Sequence, residues 1–186
     1  MKKQLRRYGK RGQSGKCLSA SAPLKRKGVD AVSEADWFKE ELVFTDLHAQ
    51  TPAELLETIG FALKELGYVE DTFTDAIIER ERKYPTGLAL EDCNIGLPHT
   101  DREHVKQAFI AVVKNGRKLP FIHMGTEDRQ VDIDCFFVLG VTDPEKQVEI
   151  LQTLMEKFDD AQFVRRLNEL NEKKQLFTFL KHTVRE

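Results

Sequence analysis

The sequence predicts an α/β (α+β) fold with a mixed-direction central sheet flanked by helices. Three observations carry this expectation. Two amphipathic helical segments come first, two dense apolar strand-like runs follow, and helical periodicity fills the last third of the chain. The connections between them are of mixed length, which suggests mixed strand directions.

Folded sequence is expected from Trp37 or Phe38, and Leu42, Val43 and Phe44 read as a first short strand or extended segment. Thr51-Pro52-Ala53-Glu54 has capping-box spacing, with proline at a first helical position where its missing N–H costs nothing. Leu55, Ile59, Ala62, Leu63 and Leu66 then recur at helical intervals until Gly67. A second helix starts near Thr72 or Thr74 and ends near Lys83, because Pro85 forces the residue before it out of helical geometry. Residues 88–97 read as two short strands or a strand and a loop. The runs 108–113 and 131–139 are the stronger strand candidates, the second alternating at first and then continuously apolar, as in a central strand. Asp143-Pro144 starts a helix carrying Val148, Ile150, Leu151, Leu154 and Phe158, and two short helices are expected around Phe163 to Leu170 and Leu176 to Leu180.

Charge divides the 186 residues unevenly. Residues 1–28 hold ten basic residues and no acid, so removing them from the 29 basic residues leaves 19 against 31 acidic ones. The domain boundary is placed at residue 35. Residues 1–35 are expected to be a basic, disordered tail or leader, and residues 36–186 one folded domain. With Tyr8 as its only aromatic residue before Trp37 and no amphipathic pattern, the tail is a weak candidate for a nucleic-acid or membrane arm. No apolar run is long enough to cross a bilayer and no signal-peptide core is visible, so a cytoplasmic location is expected. Cys17, Cys93 and Cys135 lack the close spacing of a zinc site and are expected to be reduced thiols. No GxSxG, Walker or GxGxxG pattern supports hydrolase, nucleotide or dinucleotide chemistry.

Of five histidines, His99 stands apart. Proline stops the apolar Ile95-Gly96-Leu97 segment, and the histidine then precedes Thr100-Asp101-Arg102-Glu103, which reads as a helix start. An imidazole at an exposed strand end beside free N–H groups favours an anion and can present one ring nitrogen as a nucleophile while the other is held. His99 and His104 are five residues apart, unlike the i, i+4 histidines of a metal pair, and no metal is expected. On spacing alone, Arg80-Glu81 reads as a solvated pair on a helix surface.

Arg80-Glu81, Thr86-Gly87 and Ile95-Gly96-Leu97-Pro98-His99 together resemble the signature of the fructose/mannitol-type enzyme IIA superfamily of the bacterial phosphoenolpyruvate-dependent sugar phosphotransferase system. Lys83-Tyr84-Pro85-Thr86-Gly87-Leu88 and the block 131–158 are more similar to its galactitol-like branch. The resemblance spans about residues 38–185. It implies the type-2 enzyme IIA fold, His99 as the phosphorylated residue, Arg80 as the stabiliser of phosphoryl charge and Thr86 as support for the site. Mannitol-type relatives carry a second histidine where this chain has Gln147, which leaves Gln147 as a neutral hydrogen-bonder there or leaves that role empty.

The activity implied is that of a phosphocarrier. It takes a phosphoryl group from the general histidine-containing phosphocarrier protein and passes it to the cysteine of a cognate enzyme IIB, without cofactor, metal or ATP. It meets the membrane only through the transporter complex, and no nucleic acid is expected as a partner. Two alternatives stand beside it: a regulatory, nitrogen-type enzyme IIA homologue that signals by its phosphorylation state, and, remotely, a nucleic-acid-binding module using the basic tail.

Overall fold

A computed structural model describes residues 37–183; the basic tail lies outside the described residues. Its sheet has five strands, β1 (Val43–Leu47), β2 (Gly87–Ala89), β3 (Asn94–Gly96), β4 (Phe109–Ile122) and β5 (Gln130–Gly140), in the order β1-β4-β5-β3-β2. β1 runs parallel to β4 and β3 parallel to β5, while β4–β5 and β2–β3 are antiparallel. The expected mixed-direction sheet is therefore present.

Helices α1 (Pro52–Glu65) and α2 (Phe73–Lys83) cover one face, and α3 (Pro144–Phe158), α4 (Ala161–Glu169) and α5 (Lys173–Thr183) cover the other. This two-sided burial explains the continuous apolar runs of the central strands. Phe109, Ala111 and Val113 of β4 join Phe136 and Val138 of β5 in the core under α1 and α2. The alternate residues Ile110 and Val112 join Phe137 and Leu139 in the core under α3, α4 and α5. The pleat thus divides one apolar sequence between two cores.

The helix signals are realised in detail. Thr51 Oγ1 accepts from the Glu54 N–H at 3.2 Å, and the Glu54 carboxylate reaches back to the Gln50 N–H at 2.8 Å. Asp143 caps α3 by accepting from the Glu145 N–H at 3.1 Å. At the end of α2, Tyr84 leaves helical geometry with φ −135° and ψ 80°, as the following proline requires.

Three sequence expectations need correction. Leu42 belongs to a short 3-10 turn, Glu40–Leu42, and the first strand begins at Val43. The strand expected at 108–113 continues to Ile122 through an irregularity between Lys114 and Leu119, where Asn115 is buried and bonds both the N–H and the carbonyl of Ala49. No α-helix starts at Thr100-Asp101. The chain stays extended as His99 bridges Leu139, and only a 3-10 turn, Arg102–His104, follows; the Asp101 carboxylate binds Arg80 instead of capping it.

The long β4–β5 hairpin holds the far edge of the sheet at its tip. Met124 N–H donates to the Gly87 carbonyl at 2.7 Å, and Gly87 also bridges His123. A Cβ on Gly87 would sit 2.6 Å from the Ile122 carbonyl oxygen, a backbone atom that cannot swing aside. Gly87→Ala is expected to destabilise the fold by about 1–3 kcal/mol, read as a lower urea midpoint with an unchanged slope.

Candidate functional site

Two backbone junctions build the site. β3 ends at Gly96, and the chain continues through Leu97 and Pro98 beside the end of β5, where Leu139 N–H donates to the Pro98 carbonyl at 3.0 Å. His99 is thereby delivered to the carboxyl end of two parallel strands. On the other side, the last turn of α2 presents Arg80 and Glu81, and the Tyr84-Pro85 exit returns the chain to Thr86 at the foot of β2.

The imidazole is held from both sides. Its Nδ1 lies 2.8 Å from the Leu97 carbonyl oxygen, and a carbonyl only accepts, so Nδ1 carries the proton. In the neutral ring Nε2 is then the lone-pair nitrogen, and it faces the Arg80 guanidinium, with Nη2 at 3.2 Å. Arg80 is itself aimed by Asp101, whose Oδ1 meets Nη1 at 3.2 Å, and its guanidinium lies 5.6 Å from the centre of the Tyr84 ring.

His99 is half-buried, not exposed as the sequence suggested. Burial is the largest cause pushing its pKa below the usual 6.5, and Arg80 pushes the same way; the Leu97 carbonyl and Asp101 oppose them. Desolvation thus outweighs the Arg80 charge as the cause of the shift. A ring neutral at pH 7 beside a fixed cation is suited to attack an electron-poor centre and to hold the anion that results.

Glu81 turns instead to Thr86. Its two carboxylate oxygens accept from the Thr86 N–H at 2.9 Å and the Thr86 hydroxyl at 2.6 Å, and Thr86 is 2% exposed. The Thr86 carbonyl in turn accepts from the Leu97 N–H at 3.2 Å. Burial lifts the Glu81 pKa from 4.5 to about 7, against the lowering effect of both Thr86 bonds. Arg80 and Glu81 are thus not the solvated pair that spacing alone suggested: one faces the histidine and the other the strand foot.

The structure joins His99 to Arg80 directly and to Thr86 through Leu97, and among the described residues Gln147 makes no hydrogen bond to any of them. Gln147 lies in the first turn of α3, where its N–H donates to the Asp143 carbonyl at 3.1 Å, and its side chain has no hydrogen-bond partner among the described residues. Glu81 and Asp101 join the site unforeseen. Glu81 stood inside the quoted signature, and Asp101 follows His99 by two, but neither pairing can be read from spacing. Among the described residues no cluster of three or more His, Cys, Asp or Glu could hold a metal ion, and no helix is long and apolar enough to cross a membrane.

Residues 36–183 match the family model described as phosphoenolpyruvate-dependent sugar phosphotransferase system, EIIA 2. The chain belongs to this EIIA family. It is therefore a phosphotransferase component of the sugar phosphotransferase system, a class that works through a phosphohistidine. The galactitol-specific EIIA component of Escherichia coli strain K12 is 32% identical over 120 residues, which cover 64% of this chain and 79% of that relative. A phosphotransferase-system IIA structure from Streptococcus mutans matches at a TM-score of 0.65 and 19% identity, over 81% of this chain and 94% of that one. The mannitol enzyme IIA of Escherichia coli, solved in complex with phosphorylated mannitol enzyme IIB, matches at a TM-score of 0.61 and 21% identity, over 76% and 95%. These two structures show that this EIIA chain has the IIA fold. The regulatory and nucleic-acid alternatives are not favoured by these matches.

Two titrations follow with opposite signs. By nitrogen-detected NMR, His99 should appear as the Nδ1–H tautomer with a midpoint below 6.5, and Arg80→Ala should raise that midpoint only in part, since burial persists. A depressed histidine pKa contributes stability that is present above 6.5 and lost as pH falls through the folded value. The raised Glu81 pKa contributes stability that is present below 4.5 and lost as pH rises to about 7. Glu81→Gln should remove that second slope, measured as the urea midpoint against pH across this window.

Proposed function

We propose that His99 Nε2 is the phosphoryl acceptor and that the chain relays the group from the phosphohistidine of the general phosphocarrier protein to the cysteine thiolate of a cognate enzyme IIB. The observation that carries this reading is the orientation of the ring, with Nδ1–H bound to the Leu97 carbonyl and the Nε2 lone pair facing Arg80. In the first transfer Nε2 attacks phosphorus as the donor's N–P bond breaks, and the donor ring recovers its electron pair. In the second the thiolate attacks in line, and the pair returns to Nε2. Both transition states are loose, with charge spread over the phosphoryl oxygens, so positioning and a fixed cation supply most of what the protein can offer. Arg80 supplies that cation, and Thr86 supports the backbone on which the ring rests.

The identity to a galactitol-specific relative supports a transport role in uptake of that class of sugar alcohol, with the enzyme IIB of the same transporter as partner and a cytoplasmic location. The EIIA unit in this reading is residues 36–186, with the basic segment 1–35 outside it. Gln147 has no assigned part in the transfer.

Incubation with phosphoenolpyruvate, enzyme I and the general phosphocarrier protein should add one acid-labile phosphoryl group to the wild type, seen by intact mass, and none to His99→Gln. Arg80→Ala should still accept the group, about a hundredfold more slowly. Phosphorylation of folded His99→Gln at the wild-type rate would refute the assignment.

A further inference from the structure

Beyond the acceptor and its arginine, the geometry points to Glu81 as a positioning residue that sets the tautomer and orientation of the His99 ring through Thr86 and Leu97. This inference rests on the phosphocarrier reading for its effect on rate, and on geometry alone for its effect on the ring.

The connection is continuous. Both Glu81 oxygens are committed to one residue, Thr86, through its N–H and its hydroxyl. Thr86 is almost fully buried, so its backbone has no water to turn to if the carboxylate is removed. Its carbonyl accepts from the Leu97 N–H, and the Leu97 carbonyl, on the same residue, accepts from His99 Nδ1. Glu81, Thr86, Leu97 and His99 are thereby linked into one path from the end of α2 to the reacting ring.

The position of the Leu97 carbonyl decides which ring nitrogen carries hydrogen. Displaced from Nδ1, that oxygen no longer favours the Nδ1–H tautomer, and a proton on Nε2 blocks the nucleophile. Gly87 tightens the same segment, since its carbonyl is held by the Met124 N–H and its pairing with Gly96 fixes β2 against β3. Glu81 therefore anchors the one end of this segment that the sheet leaves to a side chain. Glutamine at this position can keep both bonds, its carbonyl accepting from the Thr86 N–H and its amide donating to the hydroxyl, whereas alanine keeps neither.

The test compares Glu81→Ala and Glu81→Gln in the full chain by two readouts: His99 ring nitrogen shifts without any phosphoryl donor, and the initial rate of phosphoryl acceptance. Glu81→Ala should move the ring from a single Nδ1–H tautomer toward an exchanging mixture and slow acceptance about 10- to 100-fold. Glu81→Gln should rescue both. If Glu81→Ala does not fold, Thr86→Val carries the test, since it conserves volume while removing the hydroxyl bond, and it should shift both readouts in the same direction. A folded Glu81→Ala or Thr86→Val with wild-type ring shifts and wild-type rate overturns the inference. A wild type that holds the Nδ1–H tautomer but accepts no phosphoryl group overturns the phosphocarrier reading instead, while a tautomer shift in Glu81→Ala still supports the coupling.

Discussion

The hydrogen bond from His99 Nδ1 to the Leu97 carbonyl is the interaction on which the site depends. It is a bond between near neighbours in sequence, and its geometry is set by distant parts of the fold. Leu97 is held by Thr86 across the sheet edge, and Pro98 is held by Leu139 of the central strand. The ring is thus suspended between the foot of β2 and the end of β5, and α2 before it supplies only side chains. A nucleophile fixed by backbone carbonyls has little freedom to lose when a partner arrives, which is the property a group-transfer protein needs.

Much of this was legible in the chain because the signals were local. The caps at Thr51 and Asp143 act within a few residues, and the proline after α2 acts on its immediate neighbour. Burial of both faces of β4 and β5 left its mark as continuous apolar runs. His99 was legible because proline and strand ending coincide there, and the family resemblance rested on the same residues.

What stayed hidden depends on pairings between distant segments. Residues 114–118 lie beyond the apolar run expected as a strand, but buried Asn115 satisfies the Ala49 backbone and β4 continues past it to Ile122. Thr100-Asp101 has the composition of a helix start, but Asp101 binds an arginine twenty-one residues earlier, and Thr100 is buried. The role of Glu81 depends on a threonine five residues on, beyond a proline, where helical spacing no longer predicts who meets whom. Gln147 shows the converse: a position matched by family pattern lies on α3 without a bond to the ring.

Asp101 has a further consequence for the charged form of the carrier. The guanidinium that faces His99 is already shared with a carboxylate, so an incoming phosphoryl group does not find an unclaimed cation. It must divide Arg80 with a neighbour of its own sign, and that repulsion grows with each negative charge on the group. In the proposed relay through His99, this competition weakens the hold of Arg80 on the transferred group. A relay station works only if its loaded state lies close in free energy to both its supplier and its recipient, and in the proposed relay the Asp101 carboxylate beside Arg80 bears on that level from within the fold.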